Sequence, residues 1–159
     1  MLEKYLKEEL IILNLDVANR DELFEKVSAI YEEKQLVTES FHKCLSEREN
    51  NFPTGLQMDD YAVAIPHGEP ENVKESFVSI VTLVDPISIH KMENPAETIP
   101  VDLFFFLGLG DGALHLGILR ETISLIQEKA LVEKLKKAAS SEEALEMVKE
   151  VIKSNSSET

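Results

Sequence analysis

The sequence predicts a single α/β domain in which helices surround one mostly buried sheet. Three observations carry that expectation. Residues 77–84 and 101–107 are almost continuously apolar and rich in β-branched or aromatic side chains, the pattern of strands covered on both faces. Stretches with apolar residues at helical spacing lie before and after them. The chain has 159 residues, 43% apolar and 29% charged, enough to bury an ordinary core without metals or disulfides.

Taken in order, Leu10-Ile11-Ile12-Leu13 reads as a strand ending at Asn14-Leu15-Asp16. Asn19 then predicts an N-cap with Glu22 three residues on, and Leu23, Phe24, Val27, Ile30 and Tyr31 form one helical stripe. A shorter helix is expected from Thr38 or Glu39 to about Glu47, with Phe41, Cys44 and Leu45 inward and Cys44 serving as a small buried hydrophobe. Residues 48–55, rich in turn formers, predict a loop. Residues 61–65 form a strand stopped by Pro66, which cannot donate to a ladder. After the apolar strands, Gly108-Leu109-Gly110-Asp111-Gly112 opens a helix at Ala113 or Leu114 that runs to about Lys129, with Leu116, Leu119, Ile123 and Ile126 toward the core. A short helix over 131–138 follows. The last helix starts at Ser141, with Ser140 and Glu143 as its capping box and Ala144, Leu145, Val148 and Ile152 inward. The domain is expected over residues 1–153, with 154–159 a frayed tail.

Composition narrows the function. Sixteen basic against 30 acidic residues give a net charge of −14 and a pI near 4.7. Such a chain offers no general attraction to a phosphate backbone or an anionic lipid surface, so neither nucleic acid nor membrane is an expected partner. The single cysteine excludes an intrachain disulfide and argues against a cysteine zinc site. The N-terminus lacks the basic start and apolar core of a signal peptide, and no apolar run reaches membrane-spanning length, so a cytoplasmic, unprocessed protein is expected. The Gly-rich stretch lacks the Lys and Ser/Thr of a Walker loop, and neither a Gly-x-Ser-x-Gly elbow nor a His-Glu-x-x-His pair occurs.

The histidines remain. His67, in Ala64-Ile65-Pro66-His67-Gly68-Glu69-Pro70, stands just past a strand end. A hydrogen bond to one ring nitrogen would set its tautomer and free the other as a nucleophile; the alternative is a turn histidine that satisfies backbone groups. His115 opens a helix after a strand and a Gly-rich loop, which places it at the carboxyl edge of the sheet, where α/β folds bind ligands and a helix N-terminus favours anions. Its alternative is a half-buried or capping role. Arg48, one of three arginines, lies beside Thr54-Gly55 and could meet a phosphoryl group bidentately, or form a surface ion pair with Glu47 or Glu49. His42, on a polar helix side, and His90, in a loop-like stretch, are assigned to solvent.

These residues together resemble the enzyme IIA components of the mannitol/fructose class of the bacterial phosphoenolpyruvate-dependent sugar phosphotransferase system. The resemblance rests on Glu47-Arg48-Glu49 followed by Thr54-Gly55, on Ala64-Ile65-Pro66-His67-Gly68, on the strand ending Phe104-Phe105-Phe106-Leu107, and on His115-Leu116. Phe52-Pro53-Thr54-Gly55-Leu56 and Ala113-Leu114-His115-Leu116 look most like the galactitol branch. The resemblance implies a mixed central sheet with helices on both sides and a type-2 IIA domain. It implies that His67 accepts a phosphoryl group from the carrier HPr and passes it to a cysteine of a IIB partner, which serves a IIC permease. It makes His115 a second histidine that stabilises the phosphoryl, puts Arg48 and Thr54 in the motif lining the site, and calls for no metal or other cofactor. Two other functions remain open: a regulatory module of the same fold, whose phosphorylation state controls a partner, and a metal-dependent hydrolase using His67, His115 and acids such as Glu69 or Asp111.

Overall fold

The computed structural model describes residues 1–157. After a 3₁₀ turn at Leu2–Tyr5, the elements are β1 (Leu6–Leu15), α1 (Arg20–Glu33), α2 (Phe41–Asn51), β2 (Gly55–Gln57), β3 (Ala62–Ala64), β4 (Phe77–His90), β5 (Thr98–Gly108), α3 (Gly112–Ile126), α4 (Lys129–Lys137) and α5 (Ser141–Ser157), with a second 3₁₀ turn at Pro70–Asn72 between β3 and β4. The strands form one sheet in the order β1-β4-β5-β3-β2. β1 runs parallel to β4 and β3 parallel to β5, whereas the β4–β5 and β2–β3 pairs are antiparallel, so the sheet is mixed.

The apolar runs are two-sided because alternate side chains serve two cores. Phe104 and Phe106 of β5 face α1 and α2 together with Leu10, Phe24, Tyr31, Phe41 and Val81. Leu103, Phe105 and Leu107 face the other way, against Ile118, Leu125, Leu131, Leu135 and Val148 of α3, α4 and α5. The same alternation puts Ala62 and Ala64 of β3 on the first side and Val63 and Ile65 on the second. A chain acidic on its surface is thus held by a sheet that is dry on both faces.

Local signals act largely as anticipated. Asn19 Oδ1 accepts from the Glu22 amide at 2.9 Å, and Ser140 Oγ accepts from the Glu143 amide at 3.1 Å. Several boundaries differ. β4 and β5 extend as a hairpin to His90 and back to Thr98, because Pro86 is taken up at a register shift between Thr82 and Ile87 and does not end the strand. His90 therefore lies in a strand, not a loop, and its Nδ1–H donates to the Pro95 carbonyl at 2.8 Å.

α2 starts later than expected and continues through Asn51; Phe52, before Pro53, is the first residue to leave helical geometry. Cys44 is half-buried, not buried, and His42 is likewise half-buried. In α3 the buried face is Ile118, Thr122, Leu125 and Ile126, while Leu116 is 54% exposed. Apolar residues surround that helix, so spacing leaves its phase ambiguous, and Thr122 hides in the core by donating to the Ile118 carbonyl at 2.8 Å. α5 extends to Ser157, past the expected start of a tail; residues 158–159 lie outside the described residues. Among the described residues no helix is long and apolar enough to cross a membrane.

Candidate functional site

Pro66, His67 and Gly68 continue β3 along the end of β5. The Leu107 amide donates to the Pro66 carbonyl at 2.9 Å, and the Gly68 amide donates to the Leu107 carbonyl at 3.3 Å. His67 is the bridge partner of Leu107. Two-residue alternation from Val63 and Ile65 sends the His67 side chain to the α3 side, while Gly68 turns to the α2 side. An added Cβ at Gly68 would stand 2.5 Å from the Phe41 ring, so glycine is required there by close packing.

His67 is only 8% exposed. Its Nδ1 lies 3.0 Å from the Ile65 carbonyl oxygen. A carbonyl can only accept, so the proton sits on Nδ1, and the neutral ring keeps its Nε2 lone pair free. Burial pushes the His67 pKa down to about 4; the Ile65 hydrogen bond and Glu69 oppose the fall, while Arg48 and His115 add to it. The ring is therefore an unprotonated base throughout the neutral range.

α3 delivers the second ring. Asp111 caps the helix, its Oδ1 accepting from the Ala113 amide at 2.9 Å, and the Gly110 amide donates to Ser76 Oγ at 3.0 Å, which ties down the loop. His115, in the first turn, lies with its ring centroid 4.8 Å from that of His67 at an interplanar angle of 59°. Burial and the Arg48 charge lower its pKa too, against Glu69.

Arg48, in the last turn of α2, reaches across so that Nη1 lies 2.7 Å from Glu69 Oε1. Its guanidinium carbon stands 5.6 Å from the centre of the Phe52 ring. Two neutral imidazoles, one guanidinium and a helix N-terminus thus come together beside the end of β5, a combination suited to holding an anion beside a nitrogen nucleophile.

Residues 4–151 match the family described as phosphoenolpyruvate-dependent sugar phosphotransferase system, EIIA 2. The chain belongs to this family. It is 26% identical over 102 residues to the galactitol-specific EIIA component of Escherichia coli strain K12, covering 64% of this chain and 67% of that relative. It superposes with a TM-score of 0.73 and 26% identity on the nitrogen regulatory protein IIA-Ntr from Neisseria meningitidis, covering 92% of this chain and 97% of that one. The fold also matches the complex of enzyme IIA-Mtl with phosphorylated enzyme IIB-Mtl from Escherichia coli, at a TM-score of 0.73 and 18% identity over 90% of this chain and 97% of that one. The single α/β domain with a mixed sheet is the architecture of these IIA structures.

In this IIA chain His67, His115 and Arg48 come together, but not all as anticipated. Arg48 is helical, not in a loop, and its partner is Glu69, not Glu47 or Glu49. Thr54 does not turn its hydroxyl to the histidines. It is buried, with Oγ1 donating to Glu49 at 2.9 and 3.1 Å to the two carboxylate oxygens and its amide donating to Oε2 at 2.9 Å.

Glu49 is the residue that sequence reasoning missed. It is 3% exposed and continues the Phe41–Leu45 stripe of α2, one turn further on. Burial raises its pKa, with the Thr54 hydrogen bonds, Arg20 and His90 pulling the other way. From Glu49 the contacts run to Thr54, whose carbonyl accepts from the Ile65 amide at 3.3 Å, and the Ile65 carbonyl holds His67. The signal was present as a carboxylate four residues after Leu45, but only on a helix that reached it.

The acids needed by a metal-dependent hydrolase are engaged elsewhere, Glu69 with Arg48 and Asp111 with the α3 cap. Among the described residues no group of three or more His, Cys, Asp or Glu side chains is placed to hold a metal ion.

Proposed function

We propose that this IIA chain carries a phosphoryl group on Nε2 of His67, taking it from phosphorylated HPr and passing it to a IIB cysteine, in a system that imports and phosphorylates a sugar of the galactitol type. The observation that carries this proposal is the fixed tautomer: Nδ1–H points at the Ile65 carbonyl, and the opposite nitrogen is a free lone pair beside His115. In the transfer the Nε2 lone pair forms the new bond to phosphorus, while the donor's phosphorus–nitrogen bond breaks and its electron pair returns to the donor imidazole. Attack from Nε2 increases the acidity of Nδ1–H, and the Ile65 carbonyl strengthens its hold on that proton as this happens. Positioning and charge stabilisation supply the catalysis, since the exchange between similar nitrogen bases is nearly balanced. The similarity to the galactitol-specific EIIA component supports the sugar class.

A regulatory role is the second reading, favoured by the 26% identity to IIA-Ntr across nearly the whole chain. Incubation with phosphoenolpyruvate, enzyme I and HPr is expected to add one acid-labile, alkali-stable phosphate that His67→Ala abolishes. Stoichiometric labelling of that variant would refute the assignment. His115→Ala should still be labelled but transfer onward slowly. Rapid discharge to a galactitol-type IIB supports transport, and labelled protein that no IIB discharges supports the regulatory role.

A further inference from the structure

Glu69 has no part in the transfer just described, yet it occupies the one guanidinium beside His67. It stands two residues after that histidine, and its Oε1 takes a 2.7 Å contact from Arg48 Nη1. The contact uses one nitrogen of a group built for two-point recognition, and the Arg48 Nε is buried with no hydrogen-bond partner, so the guanidinium is only partly satisfied. Arg48 and Glu69 act with opposite sign on both imidazoles, which places both charges within reach of the two rings. In the unphosphorylated protein the pair cancels: two neutral rings face a neutral ion pair.

We infer that Glu69 is an internal stand-in for the phosphoryl group, holding Arg48 in reserve until His67 is phosphorylated and then releasing it. This rests on the reading of His67 as the phosphoryl carrier. A phosphoryl group brings about two negative charges. Beside them the Glu69 carboxylate is repelled, while Arg48 gains a partner with three acceptor oxygens. The pair is weak enough to exchange: its side chains are 28% and 39% exposed, and pairs of that kind shift an equilibrium by at most about fivefold. Glu69 is therefore a positioning residue acting through Arg48. It stabilises only the unphosphorylated state and sets how strongly this chain competes for the phosphoryl group against its donor and acceptor.

The test is the phosphotransfer equilibrium between HPr and this chain, measured for wild type, Glu69→Gln, Arg48→Gln and the double variant. Glu69→Gln should shift the equilibrium about three- to fivefold toward the phosphorylated IIA protein, and Glu69→Asp should lie nearer wild type. In the Arg48→Gln background the Glu69→Gln shift should shrink to the small remainder left by repulsion between Glu69 and the phosphoryl group. No shift in the single variant overturns the inference, and so does an equal shift with and without Arg48, which would mean direct repulsion of the phosphoryl group. His67→Ala in the same assay separates the two proposals: its labelling would sink the carrier reading, whereas a failed Glu69 cycle with unlabelled His67→Ala sinks only this one.

Discussion

Acidification isolates what burial does to His67. Its folded-state pKa is about 4 against an ordinary 6.5, a gap of about 2.5 pH units, and each unit corresponds to about 1.4 kcal/mol. The folded pKa is depressed, so the neutral ring contributes stability that is present above pH 6.5 and lost as pH falls through 4. The whole effect is about 3 kcal/mol, of which about 2 kcal/mol should already be gone at pH 5, where unfolded histidine is protonated and His67 is not. His115 contributes in the same sense and Glu49 in the opposite one, so the comparison must be with a variant of His67 alone. Asparagine suits, because its side-chain amide can still donate to the Ile65 carbonyl. Urea unfolding at pH 7.5 and pH 5 should show wild type losing about 2 kcal/mol more than His67→Asn, and the His67 ring signals in NMR should titrate near 4. A titration midpoint at 6 or above, or equal acid losses in the two proteins, would refute this account of the site.

Two further substitutions probe the support beneath it. Glu49→Ala leaves the buried Thr54 amide without its acceptor and should cost about 1–3 kcal/mol in urea unfolding. Glu49→Gln keeps an acceptor and removes the buried charge; because burial raises the Glu49 pKa, the wild-type protein loses stability as pH rises above 4.5, and the Gln variant should gain on it between pH 4.5 and 7.5. Gly68→Ala drives a methyl group to 2.5 Å from the Phe41 ring, itself packed edge-on against Tyr31 at 6.1 Å. It should lower stability by about 1–3 kcal/mol and slow labelling of His67, and a variant with wild-type melting and labelling would show that the ring yields freely.

The site was legible where chemistry is written in local patterns. His67 after a proline-stopped strand and His115 at a helix start both follow from punctuation of the chain, and their meeting follows from the rule that ligands gather at the carboxyl ends of parallel strands. Arg48 and Thr54 were legible as neighbours of the site but not in their roles. A run of turn-forming residues concealed the last turn of α2, and the difference of about 100° between successive helical residues decides that Arg48 points to Glu69 while Glu49 points inward to Thr54. The α3 stripe held at Ile126, with Leu119 and Ile123 packed against the core, and failed at Leu116 for a related reason: where apolar residues crowd a helix, only packing selects the fully buried face.

Sequence alone determined the five helices, four of the five strands, the two-sided sheet and the two histidines, since these rest on periodicity, caps and breakers that act over a few residues; the short edge strand β2, three residues long, carries no such signal. Tertiary structure decided the rest. The strand order, the tautomer set by the Ile65 carbonyl, the depressed pKa of His67 and the Arg48–Glu69 pair all depend on groups brought together by the fold and on how much water it excludes. Dielectric and distance are properties of the packed molecule, and no spacing along the chain contains them.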